Sequence, residues 1–282
     1  MEPSAAAATC PFCGTHEVSA GRTARLLKPQ AVLPFKMPRE EAVARFRRWI
    51  AGLWFAPNTL AAHARNDAAL RGLYVPCWTY DCSTATDYSG ERGDDHWVTL
   101  PVVTRVGGRT VTRMRQVRRT RWSPAAGSVR RRFDDVLVVA STSLPRALAE
   151  ALDPWDLGSL VPYRDEYLSG FQAEEYQVGL AEGLGRAKEI MDATIRHDIR
   201  ADIGGDHQRI HHASTSYSDL AFKHVLVPIW VSAYRFRDRA FRFLINGRTG
   251  EVQGERPWSI VKIALAAAAA AAAGMAVWLL SS

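Results

Sequence analysis

The sequence is poor in cysteine, and its glycine and proline contents are ordinary. Its 282 residues include four cysteines, too few for the disulfide-dense scaffold of a small secreted domain. The 20 glycines and 14 prolines exclude a collagen-like or low-complexity disordered chain. No basic region followed by an apolar stretch opens the chain, so no signal peptide is predicted. What remains is a globular chain of one or two domains, long enough to bury a core.

The common catalytic motifs are also missing. The sequence contains no G-x4-G-K-[ST] phosphate loop, no G-x-S-x-G nucleophile elbow and no H-E-x-x-H metal motif. Gly183-Leu184-Gly185 lies inside a helical pattern and is no dinucleotide fingerprint. We therefore expect a protein without enzymatic activity.

A long uncharged run lies near the C-terminus, at residues 263–280. As a helix it would span about 27 Å at about 1.5 Å per residue, close to the roughly 30 Å hydrocarbon core of a bilayer. Trp258 and Trp278 lie near its two ends, where interfacial aromatic residues belong. Arg256 and Lys262 flank only its upstream side, which predicts that the bulk of the chain is cytoplasmic. The alternative is an alanine-rich soluble helix packed on the body.

The rest of the chain alternates between helical and strand-like patterns. Apolar residues recur at helical spacing from Val43 to Trp54 behind Pro38, and a second helix is predicted over 173–203, ended by glycines. A shorter helix is predicted over 59–70. Alternating apolar and polar residues predict strands in the intervening regions, with turns at Ser89-Gly90, Gly107-Gly108, Ala126-Gly127 and Asn246-Gly247.

A short internal echo indicates a repeat. Val-Pro-Cys-Trp at 75–78 and Val-Pro-Ile-Trp at 227–230 each follow a helical region and are expected to open a strand. The fold class predicted is α+β, with two related helix-plus-antiparallel-sheet halves and a C-terminal single transmembrane helix.

These patterns divide the chain into three parts. Residues 1–36 would hold half of a zinc-ribbon knuckle and a linker. Residues 37–256 would form a cytoplasmic α+β body, with halves at about 37–145 and 146–256. Residues 258–280 would be a transmembrane tail anchor in the bacterial cytoplasmic (inner) membrane.

The strongest electrostatic feature is a stretch from Arg105 to Arg132 with ten arginines and no acidic residue. In a strand the odd-numbered positions would share one face, which carries the candidate anionic-partner residues Arg109, Arg113, Arg115, Arg119 and Arg121. Such a stripe could contact lipid headgroups or nucleic-acid phosphates, or could be a solvated sheet face that discourages edge pairing. Because a membrane segment lies on the same chain, lipid or an acidic protein partner is the simpler expectation.

Cys10 and Cys13 form one C-x2-C knuckle of the kind that binds zinc. A complete tetrahedral site needs two such pairs. Cys77 and Cys82 would point to opposite faces of a strand, about 17 Å apart, and cannot complete it; His16 offers one ligand at most. Either the knuckle is shared between two chains of a homodimer, or an upstream half is missing, or the site is a remnant.

A second cluster lies between His197 and His212. His207 and His211 would share a strand face and could hold a metal ion, as in a metal-dependent hydrolase. Because Arg209 lies between them, we instead expect a charged helix end and a polar turn. Asp81 and Asp87 are expected to be ordinary loop carboxylates.

Four segments together resemble a known family. They are CPFCG, GLYVPCWTYDCSTATDYSGERGD, YQVGLAEGLGRAKEIMDATIRHDIRADIGGDHQRI and FKHVLVPIWVSAYRFRDRAFRFLINGRTGEVQGERPWS. They resemble bacterial zinc-ribbon membrane proteins catalogued as primosomal protein N′ (replication factor Y), superfamily II helicase-like. The resemblance implies an N-terminal zinc ribbon, a cytoplasmic body and a C-terminal membrane segment. Helicase activity is not expected, because ATP-driven strand separation needs the phosphate loop that this chain lacks.

The sequence thus predicts a tail-anchored, non-enzymatic interaction or scaffold module with a basic surface at the cytoplasmic face of the membrane. The alternative is a nucleic-acid-associated zinc-ribbon protein. Zinc at the half site is the one cofactor that the sequence predicts.

Overall fold

The computed structural model describes residues 6–9, 16–19, 27–60, 70–106, 109–237 and 239–281. These contain the strands β1 (Ala6–Thr9), β2 (His16–Ser19), β3 (Ala31–Val32), β4 (Arg71–Val106), β5 (Arg109–Val139), β6 (Val161–Pro162), β7 (Gln172–Ala173), β8 (His207–Phe236), β9 (Arg239–Asn246) and β10 (Val252–Gly254). The helices are α1 (Arg39–Ala51), α2 (Arg146–Glu150), α3 (Leu180–Ile203) and α4 (Ile260–Ser281), with short 3-10 turns at Leu157–Ser159 and Asp165–Leu168.

The strands form two sheets. β1 and β2 are an antiparallel pair, whereas the other eight strands form a mixed sheet. In that sheet the order is β10-β9-β8-β3-β6, and β4 pairs with β5, β7 and β8. β8 and β9 are antiparallel, whereas β3 runs parallel to β8 and β7 runs parallel to β4. The predicted α+β class is confirmed.

The chain forms two compact units. The first unit comprises residues 1–79, 137–183 and 223–282, and the second comprises residues 80–136 and 184–222. The two units are defined by compactness and not by similarity to each other. The two related halves, at about 37–145 and 146–256, therefore stay a prediction.

In the first unit, helix α1 forms as its sequence predicts. Pro38 is its N-cap residue and two glutamates occupy the first turn, where they complement the helix dipole. Its buried face carries Phe46 and Ile50, and the Phe46 ring stacks on Phe243 at 3.8 Å between centroids. The helix ends at Ala51, so Trp54, which was expected on the helix, lies beyond it.

In the second unit, helix α3 shows the predicted apolar stripe. Ala187, Met191, Ile195 and Ile199 recur at helical spacing and are at most 1% exposed. Gly204 and Gly205 follow the helix with φ of +66° and +74°, the left-handed backbone that ends helices. The helix starts at Leu180, later than the approximate predicted start at residue 173, which belongs to β7. A later start agrees with the glycines at 179, 183 and 185, which weaken the first part of the helical pattern.

Two of the predicted turns are wrong for one physical reason. Gly90 and Gly127 lie inside strands β4 and β5, where neighbouring groups approach too closely for a side chain. A Cβ at Gly90 would lie 2.0 Å from the carbonyl oxygen of Arg209, and one at Gly127 would lie 2.7 Å from the Tyr88 hydroxyl. The turn at Asn246-Gly247 is confirmed, because β9 ends at Asn246. Residues 107–108 and 61–69, on which the other predicted turn and most of the short helix fall, lie outside the described residues.

The two Val-Pro segments have matching surroundings in the first unit. The Trp78 indole donates to the carbonyl oxygen of Val178 (2.9 Å), and the Trp230 indole donates to that of Met37 (3.1 Å). The carbonyl oxygens of Pro76 and Pro228 each accept a backbone hydrogen bond, at 2.9 and 2.8 Å. The expectation that each segment opens a strand is wrong: β4 begins at Arg71, four residues before Val75, and Pro228 lies well inside β8.

Candidate functional site

Helix α4 is long and apolar enough to cross a membrane. The candidate span, Ile260–Leu279, has 20 residues, about 30 Å at about 1.5 Å per residue. None of it is buried in the structure, and Ile260 and Leu265 are 81% and 65% exposed. A soluble helix with such a surface would need a polar face, which this helix lacks. The alternative of a helix packed on the body finds no support within the described residues.

The start of α4 is held to the loop that follows α1. The Ser259 amide donates to the carbonyl oxygen of Phe55 at 2.7 Å, and the Lys262 ammonium donates to that of Trp54 at 3.0 Å. The Phe55 and Trp258 rings lie 6.5 Å apart. Two chain segments distant in sequence therefore meet where the apolar helix begins.

The residues just before α4 are also anchored in the first unit. The Tyr234 hydroxyl donates to the carbonyl oxygen of Glu255 at 2.8 Å, and the Glu255 carboxylate pairs with Arg242 at 2.7 Å. Burial alone would raise the pKa of Glu255, but hydrogen bonds from the side chain and backbone of Arg242 outweigh it and lower that pKa. The helix is thus joined to the body by a short, bonded connection.

In the second unit, strand β5 carries the predicted arginines. We call Arg113, Arg115, Arg119 and Arg121 the arginine stripe; all four side chains are exposed. No acidic side chain among the described residues forms an ion pair with any of them. Arg109 is the first residue of β5, and its side chain lies outside the described part of the structure.

Arg118, at an even-numbered position of the same strand, has an acidic partner. Arg118 forms an ion pair with Asp95 at 2.7 Å, and the Thr120 hydroxyl donates to that carboxylate at 2.6 Å. The hydrogen bond from Thr120, then the hydrogen bond from His207 and the charge of Arg118, lower the pKa of Asp95. Arg209 lies over the Trp122 ring, 3.7 Å from its centroid. The charge of Arg118 is therefore compensated, whereas the four arginines of the stripe have no acidic partner among the described residues.

The structure also shows a groove that the sequence did not single out. It has a volume of about 400 Å³ and lies in the second unit. Its lining includes Ser83, Ala85, Arg130, Arg132, Ser216 and Ser218. Two of its serine hydroxyls already donate to backbone carbonyl oxygens of β4. The run of arginines at 130–132 was the only sequence signal for it.

The cysteines do not come together as a metal site within the described residues. Cys10 and Cys13 lie outside them, bracketed by the paired residues Thr9 and His16 of β1 and β2. Cys77 and Cys82 are buried free thiols. Burial raises the pKa of both thiols, whereas a zinc ligand must be a thiolate.

The predicted histidines face carboxylates and not a shared metal position. His207 Nε2 lies 3.1 Å from Asp95, and His211 Nε2 lies 3.7 Å from Glu91, which also binds Arg209 at 3.2 Å. These contacts form the expected charged cluster.

One cluster of three aspartates has a geometry that could hold a metal ion, among the described residues. Asp81, Asp134 and Asp135 bring their oxygens within 4.8 Å of one another, and the Asp135 amide donates to Asp81 at 2.7 Å. Asp87 takes no part in it. The expectation that Asp81 is a loop carboxylate is wrong, because Asp81 lies in β4. The cluster is not apparent in the sequence, because its other two members come from the adjacent strand β5.

Comparison with known proteins adds one relative. No family model matches the chain, and no solved structure matches it. A curated relative, described as the uncharacterized protein YdjG of Bacillus subtilis (strain 168), is 26% identical over 250 residues. The match covers 88% of this chain and 69% of the relative. The chain is thus similar to that protein over most of its length.

Proposed function

We propose that this chain is a membrane protein anchored by helix α4, with its body on the cytoplasmic side of a bacterial cytoplasmic membrane. The observation that carries the proposal is the 20-residue apolar helix, none of whose residues is buried. Burying such a surface in hydrocarbon removes an exposed apolar area that a soluble protein would not tolerate.

The orientation rests on charge. Arg256 and Lys262 lie on the body side of the helix, and the positive-inside rule places such residues in the cytoplasm. The arginine stripe belongs to the same side and would face a compartment in which membrane surfaces are anionic.

The body acts as a non-enzymatic interaction or scaffold module in this proposal. Its arginine stripe is the recognition surface, and its partner is anionic: lipid headgroups or an acidic protein. Each basic side chain near an anionic membrane contributes about 1 kcal/mol. The resemblance to zinc-ribbon membrane proteins agrees with this placement.

The alternative is a nucleic-acid-associated zinc-ribbon protein. The β1-β2 hairpin, whose paired ends flank Cys10 and Cys13, and the unpaired charge of the stripe favour it. Zinc at Cys10 and Cys13, and a homodimer that shares the knuckle, remain predictions of this alternative.

We also propose that the body contains two related halves. Helices α1 and α3 each begin seven residues after a two-residue strand, β3 or β7, that runs parallel to a long strand. The matched hydrogen bonds of Trp78 and Trp230 support the same repeat. A repeat of this kind would explain why both long strands carry a Val-Pro-x-Trp segment.

Membrane fractionation tests the anchor. The full-length protein is expected in the membrane fraction and to resist carbonate extraction, whereas a chain lacking residues 258–282 is expected to be soluble. A full-length chain that stays soluble would contradict the proposal.

The stripe is tested by removing two of its charges. Arg113→Ala with Arg115→Ala should lower binding to anionic vesicles by roughly tenfold or more, since each charge contributes about 1 kcal/mol. Arg118→Ala with Arg196→Ala removes the same charge from arginines already paired with aspartates and should have a smaller effect. Salt-dependent binding to DNA or RNA, without vesicle binding, would favour the alternative.

A further inference from the structure

The loop after α1 exposes large aromatic side chains, whose contact with water is unfavourable. Trp54 is 81% exposed and Phe55 is 36% exposed. The loop is not frayed, because backbone hydrogen bonds from Leu53 to Ile50 and from Ala56 to Leu53 close it. Ala56 is 4% exposed. The fold therefore holds a large aromatic side chain outward on a fixed support.

The position of this loop relative to α4 is defined within the first unit. Phe55 accepts the hydrogen bond from the Ser259 amide, one residue before the helix begins, and Trp54 accepts one from Lys262, in the first turn. Trp258 adds a third aromatic side chain, 54% exposed, beside Phe55. The three aromatic residues therefore lie where the apolar surface of α4 starts.

Cationic groups accompany these rings. The Arg256 guanidinium lies 4.3 Å from the centroid of the Trp258 ring, and the Lys262 ammonium lies at the backbone of Trp54. Amphipathic aromatic rings with adjacent cations are the composition found at the headgroup level of a bilayer, where one end of the ring is apolar and the other wet.

We propose that Trp54, Phe55 and Trp258 form a second, non-spanning contact with the headgroup region of the bilayer that α4 crosses. We call these three residues the aromatic collar. This inference rests on the proposed function, because it needs α4 in the membrane. Lipid is the occupant because the collar is continuous with the exposed apolar surface of α4, which begins at Ile260.

The collar has a mechanical consequence. A helix joined to its body through a free linker lets the body tumble above the membrane, whereas two contacts on one face fix which side of the body is turned to the lipid. Trp54 is the part of the collar that comes from a distant segment, so it is the residue to probe.

The experiment places an environment-sensitive fluorophore at Trp54→Cys in the full-length chain, in a background with Cys10→Ser and Cys13→Ser. The two remaining cysteines are buried. The protein is reconstituted into phosphatidylcholine–phosphatidylglycerol vesicles that contain lipids spin-labelled at the headgroup or along the chain. Leu27→Cys is the matched control, an exposed apolar residue (48%) of the first unit. Its carbonyl oxygen is bonded to His224, ten residues along β8 from Tyr234, which binds Glu255 just before α4.

The label at position 54 should be blue-shifted and quenched several-fold more by headgroup spin labels than the label at position 27. If the Trp54 variant folds poorly, a label at Asn58→Cys in the same loop replaces it, because this substitution leaves the aromatic rings intact. This label should be quenched less than a label at position 54 and more than the control. Equal, weak quenching at positions 54, 58 and 27 overturns the collar.

A label at Ala269→Cys, inside α4, separates the two proposals. If it is quenched by chain spin labels while positions 54 and 58 are not, the anchor stands and the collar is wrong. If it too remains unquenched, the helix is not in the bilayer and the proposed function fails with it.

Discussion

A single charge in the middle of α4 should release the protein from the membrane. Ala269 lies near the midpoint of the span Ile260–Leu279, about 14 Å from either end at about 1.5 Å per residue. An arginine there is too far from the interface for its guanidinium to reach it easily. The Ala269→Arg substitution therefore places a charge in hydrocarbon.

The magnitude follows from the composition of the helix. Its six isoleucine, valine and leucine residues between 260 and 279 contribute about −0.3 to −0.6 kcal/mol each, roughly −2 to −4 kcal/mol together. One arginine at the centre costs about 2.5 to 3.5 kcal/mol. Because alanine supplies most of the remaining length and little free energy, one substitution cancels most of the insertion free energy. The insertion equilibrium should fall about 100-fold.

Carbonate extraction and flotation of the full-length chain measure the effect. Val261→Arg, beside Lys262 at the helix start, is the matched control, because a charge there can extend to the interface. Ala269→Leu should stay in the membrane fraction. If Ala269→Arg resists extraction as the wild type does, α4 is not in hydrocarbon and the reasoning is refuted.

Two further predictions concern the second unit. Gly90→Ala should lower the free energy of unfolding by about 3 kcal/mol, the upper end of overpacking costs, because its methyl group would meet the backbone of β8. Gly185→Ala, whose methyl group meets nothing within 4 Å, should raise the free energy of unfolding by about 1 kcal/mol through helix propensity. Urea unfolding in detergent compares the two; equal midpoints would contradict the packing. Asp95→Asn should destabilise the fold at pH 7, because the lowered pKa of Asp95 means that its charged form is favoured by folding. That stabilisation is complete above the ordinary aspartate pKa of about 3.9 and is lost as the pH falls through the lower folded-state value. The difference from the wild type should therefore shrink below about pH 4, and a difference that is constant down to pH 2 would contradict it.

Helices α1 and α3 could be located from the sequence because their apolar patterns are local. Met191, Ile195 and Ile199 repeat at helical spacing and are buried as expected, and the glycines at 204 and 205 end α3. Pro38 marks the start of α1 for the same reason, because the fixed φ angle of proline favours the start of a helix whatever the distant contacts are.

The lengths of the strands could not be predicted, because they depend on non-local contacts. Gly90 and Gly127 look like turn residues in sequence, yet they are the places where β8 and the Tyr88 side chain come close. Trp54 was assigned to the face of α1 because its spacing fits, whereas the helix ends before it. The arginine stripe can be recognised in the sequence. That Arg118 differs from the stripe by forming an ion pair cannot, because its partner Asp95 lies on another strand.

The pairing of β3 with β8 has a consequence for folding during synthesis. Gln30 is bonded to His224, 194 positions away, and the adjacent β3 has its parallel partner in β8. At about 5–20 residues per second, roughly 10–40 s separate the synthesis of the two. During that interval the backbone edge of β4 that pairs with β8 in the folded protein would be unpaired on the nascent chain. We therefore expect this protein to depend on chaperones at the ribosome before α4 has been made.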